Sequence, residues 1–446
     1  MSLKDSIKSY NLSPAQVLVA GYFAVILTGT ILLSLPMATT AQGSLGFIDS
    51  LFTSTSATCV TGLIVVNTSS AFTTFGQVVI MFLIQIGGLG IMSMSTLMAF
   101  LIGKKISLKE RLVIQQDLNQ FGISGLVRLI QYVLGFTLII EGAGAIFMFT
   151  KLISEYNLMK AVYYSIFHAI SAFNNAGFDL FGDSLVGFTG SIIMNFSVMI
   201  LIILGGIGFG VLTESTNDEK FGKSSLQSKI VIIITLILLV IGFLVLLALE
   251  FNNPDTMGNL PFGEKILSAM FLSVTPRTAG FNTLPTDALK SSSLFFIIIL
   301  MFIGASPGST GGGIKTTTFG VMAITMWNKI IGKKDIEIYN RRIDEEDVLK
   351  AMAITLLAVV LVVLITIILT ITESQPFIDI LFETVSAFGT VGLSTGVTST
   401  LSTIGRILIT LTMFAGRVGP LTLAVAFAEK ERKGIYHYPK EKIMVG

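Results

Sequence analysis

Apolar runs alternate with short polar stretches along the whole chain. Four runs, about 15–35, 126–149, 230–249 and 348–370, have the length and apolarity of membrane-spanning helices. Each is followed by a short amphipathic segment of 11–14 residues, at 47–57, 159–172, 263–274 and 377–389. Segments of that length cannot cross a bilayer. Small polar residues and a glycine come next, and then a second apolar run, at about 72–102, 188–212, 294–327 and 404–428. The third of these is interrupted at 304–315 by Gly-Ala-Ser-Pro-Gly-Ser-Thr-Gly-Gly-Gly-Ile-Lys. The pattern predicts helix, re-entrant helix, glycine loop and helix, four times over.

The four passages keep a common register. Phe47, Ile48, Asp49, Leu51, Phe52, Ser56, Ala57 and Gly62 recur as Phe377, Ile378, Asp379, Leu381, Phe382, Ser386, Ala387 and Gly392, at a constant offset of 330. Phe52, Phe167 and Phe382 each lie ten residues before their glycine, and Ser56, Ser171 and Ser386 six before it. The third passage diverges most, with Ser273 seven before Gly280. An internal repeat of this kind predicts an all-α membrane protein. Its four parallel repeats, 1–112, 113–227, 228–346 and 347–446, would stand with pseudo-four-fold symmetry around one central pore. The third carries the broken helix and the fourth ends in a cytoplasmic tail.

Composition agrees with a membrane location. Of 446 residues, 52% are hydrophobic and 13% charged, and the mean hydropathy is +0.82; soluble proteins average about 25% charged. The single cysteine, Cys59, excludes an internal disulfide. No cleavable leader is evident, so the first apolar run is expected to anchor the chain itself. Twenty of the 29 Lys and Arg fall at 4–8, 104–111, 220–229, 329–350 and 430–442, all on one side of the predicted crossings. That asymmetry predicts a multi-pass protein of the cell membrane, both termini cytoplasmic and the short helices entering from outside.

Non-helical backbone at membrane depth survives only when buried in protein or lining a wet cavity. Four such loops in matching positions can face one axis. Glycine lets successive carbonyls turn inward, and the short helices aim the negative ends of their dipoles there. Carbonyl rings that replace a hydration shell are how potassium filters work. The candidate ion ligands are therefore the backbone carbonyls of Val60-Thr61-Gly62, Asn175-Ala176-Gly177, Thr278-Ala279-Gly280 and Thr390-Val391-Gly392. The segments 56–64, 171–178, 273–283 and 386–396 contain no Asp or Glu. That favours a monovalent cation such as K⁺ over Ca²⁺ or Mg²⁺. The break, Gly304, Ala305, Ser306, Pro307, Gly308, Ser309, Thr310, Gly311, Gly312 and Gly313 with Lys315, reads as a gate below the filter, because neither apolar flank spans alone.

Arg417, an intramembrane charge, is expected to meet the gate carbonyls, to raise an electrostatic barrier or to tie helices together. Lys315 is placed to snorkel. Arg277 is expected to hydrogen-bond backbone behind the filter. Glu141 is expected to partner an arginine or to serve packing, with proton coupling as the sharper alternative. His168, Asn174 and Cys59 read as structural residues of the short helices.

The four registered glycine loops, the Thr-Val-Gly of 390–392, the break at 304–315 and Arg417 together resemble the Trk/Ktr/HKT superfamily of potassium transporters over the whole chain. Within it the short termini are most similar to the Ktr membrane subunits. The resemblance implies K⁺ uptake, a homodimer with one pore per subunit and a cytoplasmic ring of regulatory subunits that bind the nucleotide this chain does not. A dependence on Na⁺ is open, as are an alternating-access cation cotransporter and an ammonium-permeable channel. No covalent cofactor is expected. No Walker motif, catalytic cluster or nucleic-acid signature occurs, so neither an enzyme nor a nucleic-acid partner is expected.

Overall fold

In the computed structural model, residues 13–40, 45–90, 112–113, 115, 126–215, 224–333, 335–427, 441 and 444 are described. They form a helical bundle in which a three-helix pattern occurs four times. Long helices α1 (Pro14–Leu33), α4 (Leu126–Leu152), α8 (Leu226–Glu250) and α12 (Glu345–Thr372) are each long and apolar enough to cross a membrane. Short helices α2 (Phe47–Thr58), α5 (Leu158–Phe173), α9 (Phe262–Val274) and α13 (Phe377–Gly389) follow them. Return helices α3 (Thr74–Leu89), α6 (Ile192–Gly206), α10 (Ser291–Phe302) and α14 (Thr403–Val418) complete the pattern. Three further helices, α7 (Phe209–Ser215), α11 (Thr316–Ile330) and α15 (Pro420–Phe427), continue the second, third and fourth returns.

Local sequence explains many of the helix starts. Ser13 and Gln16 form a capping box ahead of Pro14. Thr73, Asn157, Ser225 and Ser402 accept from the amides of Gly76, Lys160, Ser228 and Gly405. Burial is inverted relative to a soluble bundle. The long helices expose Leu138, Ile139, Ile146, Leu236, Leu244, Leu356, Leu364 and Ile371, while Ser54, Ser56, Thr58, Ser171, Thr384 and Ser386 of the short helices are fully buried. Apolar outside and small polar residues inside is the arrangement that lipid as solvent favours.

The packing closes on itself. Every short helix packs against the long helix before it. Each return helix packs against the next short helix: α3 on α5, α6 on α9, α10 on α13, and α14 back on α2. At that last junction Arg406 of α14 pairs with Asp49 of α2 at 2.5 Å.

The return helices differ from the sequence expectation. Only the third was expected to break, yet the described returns all stop at a glycine or a turn. Gly90 (φ 86°) ends α3, and residues 91–102, the rest of the first expected run, lie outside the described residues. Gly208 (φ 98°) separates α6 from α7 with a bend of 98°. Gly419 (φ 92°) separates α14 from α15 with a bend of 92°. Positive φ is open to glycine at no steric cost, so each glycine turns an apolar run that hydropathy alone reads as straight. Between α11 and α12 a small hairpin pairs Glu337–Ile338 with Arg341–Arg342.

Other glycines mark close approach. A Cβ at Gly205 would strike the carbonyl oxygen of Phe173, and one at Gly416 that of Phe388. These are the C-terminal turns of the short helices. Gly135 of α4 has nothing within 4 Å. Gly205→Ala is therefore expected to lower the thermal midpoint of the detergent-solubilised protein, at an overpacking cost of at least about 1–3 kcal/mol. Gly135→Ala should leave it unchanged or raise it, because alanine is the better helix former by roughly 1 kcal/mol. Equal midpoints for the two variants would contradict the packing.

Candidate functional site: the glycine ring and the loop beneath it

The short helices end in the middle of the bundle, and the four glycine loops meet there. In each loop two residues, spaced two apart, have left-handed backbone: Val60 and Gly62 (57° and 92°), Asn175 and Gly177 (59° and 67°), Thr278 and Gly280 (68° and 74°), Thr390 and Gly392 (50° and 91°). Non-glycine residues in this region cost about 1–3 kcal/mol each, and such strain concentrates where function needs it. Val60 is the strongest case, since a β-branched residue tolerates this region poorly.

The glycines form a closed circuit. A Cβ at Gly62 would lie 3.1 Å from the α-carbon of Gly177, one at Gly177 3.0 Å from Gly280, one at Gly280 3.1 Å from Gly392, and one at Gly392 3.0 Å from Gly62. The same hypothetical atoms would collide with the carbonyl oxygens of Ala176, Ala279, Val391 and Thr61, in that order. The structure thus brings together the four glycines and the carbonyls of the residues before them, eight of the twelve residues expected to supply carbonyl ligands. No side chain larger than hydrogen fits at the four glycines.

A second layer holds the loops in place. The amides of Thr61, Ala176 and Val391 each donate to the carbonyl five residues back, at Ser56, Ser171 and Ser386. Ala279 donates only four back, to Thr275. The third loop is one residue shorter, and this corrects the sequence alignment: Thr275, not Ser273, is the counterpart of Ser56. Ser273 instead donates to Leu239 O (2.6 Å), as Ser54 does to Ile26 O (2.7 Å). The hydroxyls of Ser56 and Ser386 accept from Gly62 N and Gly392 N, both at 3.1 Å, whereas Ser171 and Thr275 donate to Phe178 O and Phe281 O.

Beyond the glycines, two side chains in equivalent places hold the chain as it leaves the ring. His168 Nε2 accepts from Leu180 N at 3.1 Å, and Glu383 accepts from Thr395 N at 3.1 Å, from Thr398 Oγ1 at 2.7 Å and from Ser394 Oγ. Glu383 was not singled out from sequence. Its signal was positional, since both residues lie nine before their glycine. Asn174 donates to Glu141 and to Gln85, both at 3.0 Å. Glu141 therefore has amide neighbours in place of the expected arginine. Arg277 also departs from expectation. Its guanidinium is buried, and its Nε and Nη1 have no hydrogen-bond partner among the described residues.

The break between α10 and α11 is ordered by its neighbours on three sides. Ser306 N and Thr310 N donate to Gly206 O and Gly205 O, at 3.0 and 3.1 Å, and Gly308 O accepts from Phe209 N at 2.8 Å. Gly313 N donates to Gly416 O at 3.4 Å. Inside the break, Ala305 N donates to Gly312 O (3.2 Å), Ser309 Oγ to Ser306 O (2.6 Å) and Lys315 Nζ to Gly311 O (2.8 Å). Pro307 carries no amide proton and is half-buried, and the backbone of Gly304 packs on Gly312 and Gly313. Arg417 supplies the remaining tie. Nη1 donates to Thr310 O, and Nη2 to Gly87 O and, at 3.3 Å, to Gly88 O. Nε donates to Tyr22 Oη at 3.4 Å. Arg417 thus meets both the loop carbonyls and a neighbouring return helix.

Comparison with known proteins places this architecture. Residues 5–437 match the profile of the TrkH cation transport protein family. The chain is 44% identical over 440 residues to Ktr system potassium uptake protein B of Bacillus subtilis, covering 99% of this chain and 98% of that protein. It is 40% identical to potassium/sodium uptake protein NtpJ of Enterococcus hirae, covering 98% of each. The fold matches the crystal structure of the potassium transporter TrkH from Vibrio parahaemolyticus with a TM-score of 0.73 over 92% of this chain and 85% of that one, at 18% identity. These relatives are transporters and not enzymes. The chain belongs to the TrkH family of cation transport proteins, within the Trk/Ktr superfamily.

Proposed function

We propose that this protein is the ion-translocating membrane subunit of a K⁺ uptake system, and that K⁺ passes through the ring formed by Gly62, Gly177, Gly280 and Gly392. The closed circuit of the four glycines carries the proposal. Each glycine abuts the next, and the carbonyls of Thr61, Ala176, Ala279 and Val391 lie at the contacts. A ring of this kind can replace the hydration shell of a monovalent cation without a charged side chain. In this reading the repeats 1–112, 113–227, 228–346 and 347–446 stand with pseudo-four-fold symmetry about one pore. The cyclic packing of return helices on short helices supports it. The shorter third loop makes the ring unequal.

The segment 304–315 is the gate, held across the path by Arg417 and by the backbone of the second and fourth return helices. The basic asymmetry puts both termini in the cytoplasm. There the chain would meet a ring of nucleotide-binding regulatory subunits, as a homodimer. K⁺ is the transported ion because the relatives are named for potassium uptake. Na⁺ enters as a second or coupled ion because one relative is named a potassium/sodium uptake protein.

In proteoliposomes, radioactive rubidium uptake should be inhibited by K⁺ at lower concentration than by Na⁺ or NH₄⁺. Uptake indifferent to K⁺ would overturn the assignment. Gly392→Ala, forced to φ 91° against Thr61 O, should abolish K⁺ preference. Removing residues 305–313 should raise the flux of the folded protein, and flux no higher than wild type would refute the gate. Arg417→Gln loses charge-assisted hydrogen bonds worth about 1.5–3 kcal/mol each in mutational series. It should raise flux about tenfold or more.

A further inference from the structure

The loop 304–315 is bonded to the glycine ring itself, and by one side chain. Gly312 N donates to Thr390 Oγ1 at 3.0 Å. Both residues are buried. Thr390 is the C-cap of α13, in left-handed backbone two residues before Gly392. A Cβ at Gly312 would collide with that same hydroxyl, so glycine is required for the approach. From Gly312 the attachment continues through Gly312 O to Ala305 N, and from Gly313 N to Gly416 O.

The equivalent positions in the other loops differ. Val60 offers no hydroxyl. Thr278 and Asn175 bond to each other at 3.1 Å, a pairing that holds in either orientation of the amide. Gly311 packs against Thr278 Oγ1 without a hydrogen bond between them. The fourth loop is thus the one whose residue two before the glycine bonds the loop directly, among the described residues.

We propose that Thr390 is a positioning residue that couples the loop to the ring. Its hydroxyl oxygen holds Gly312 N–H while the loop lies across the path, and the same bond fixes the inner end of the fourth glycine loop. When the loop withdraws, Thr390 is released, and Val391 and Gly392 lose that support. The position of the loop then sets ion discrimination as well as rate. The proposal rests on the reading of 304–315 as a gate.

The test is a double-mutant cycle in proteoliposomes, reading rubidium flux and the ratio of Na⁺ to K⁺ needed to inhibit it. Thr390→Val should raise flux about two- to tenfold, the equilibrium weight of one neutral hydrogen bond, and shift the inhibition ratio in the same direction as removal of 305–313. Thr390→Ser, which keeps the acceptor, should restore both values towards wild type. In the protein lacking 305–313, Thr390→Val should have a markedly smaller effect on both. If Thr390→Val shifts both readouts equally with and without the loop, the hydroxyl acts on the ring alone and the coupling is wrong. If removal of 305–313 by itself leaves flux unchanged, the gate reading fails, a result that needs no Thr390 variant. Should the shortened protein not fold, Arg417→Gln replaces it as the loop-releasing change, and fully additive effects with Thr390→Val would overturn the coupling.

Discussion

Backbone amides and carbonyls that leave a helix at membrane depth need partners from within the protein, and this chain does so at four helix ends. The short helices stop in mid-bundle, and each must satisfy a turn of left-handed, non-helical backbone. The solution is nearly the same each time. The amide before the glycine returns to the carbonyl of Ser56, Ser171, Thr275 or Ser386, and the hydroxyl of that residue meets a group beyond the turn. The glycines are then free to press against one another, with carbonyls at the contacts. Fully buried serines and threonines, which would be a burden in a soluble core, are here the means by which the loops are held.

The same constraint accounts for the break at 304–315. Thirteen residues between α10 and α11 lie outside any helix, and partners for their backbone come from the ends of α6 and α14, from Arg417 and from Thr390. Glycines at 205, 304, 312, 313 and 416 permit backbone to meet backbone directly. Under the proposed gate reading, a segment fastened largely by separable hydrogen bonds, with Ala305 and Ile314 as its buried apolar side chains, would leave its place by giving up those bonds. This is the physical character expected of a moving part.

The four glycine loops are not identical. The third loop lacks one residue, Asn175 replaces the threonine or valine of the other loops, and the side chain nine before the glycine is His168 in one repeat and Glu383 in another. His168 and Glu383 nevertheless both accept the amide three residues after the glycine. Different chemistry fills one geometric role, which a repeat encoded in a single chain allows.

The apolar periodicity, the short helices, the glycine positions and the interruption at 304–315 were legible in the sequence, because helix length against bilayer thickness and the tolerance of glycine for positive φ are local properties. The constant offset of 330 carried the repeat. What local pattern cannot carry is which groups meet across the bundle. The breaks at Gly208 and Gly419 were hidden in apolar runs. Thr275 was displaced from its expected register by a one-residue deletion that only the hydrogen bond from Ala279 reveals. The amide neighbours of Glu141 and the bond from Gly312 to Thr390 join residues far apart in the chain. Their pairing is decided when the four passages close into one ring, since only closure sets which buried polar group lies within reach of another.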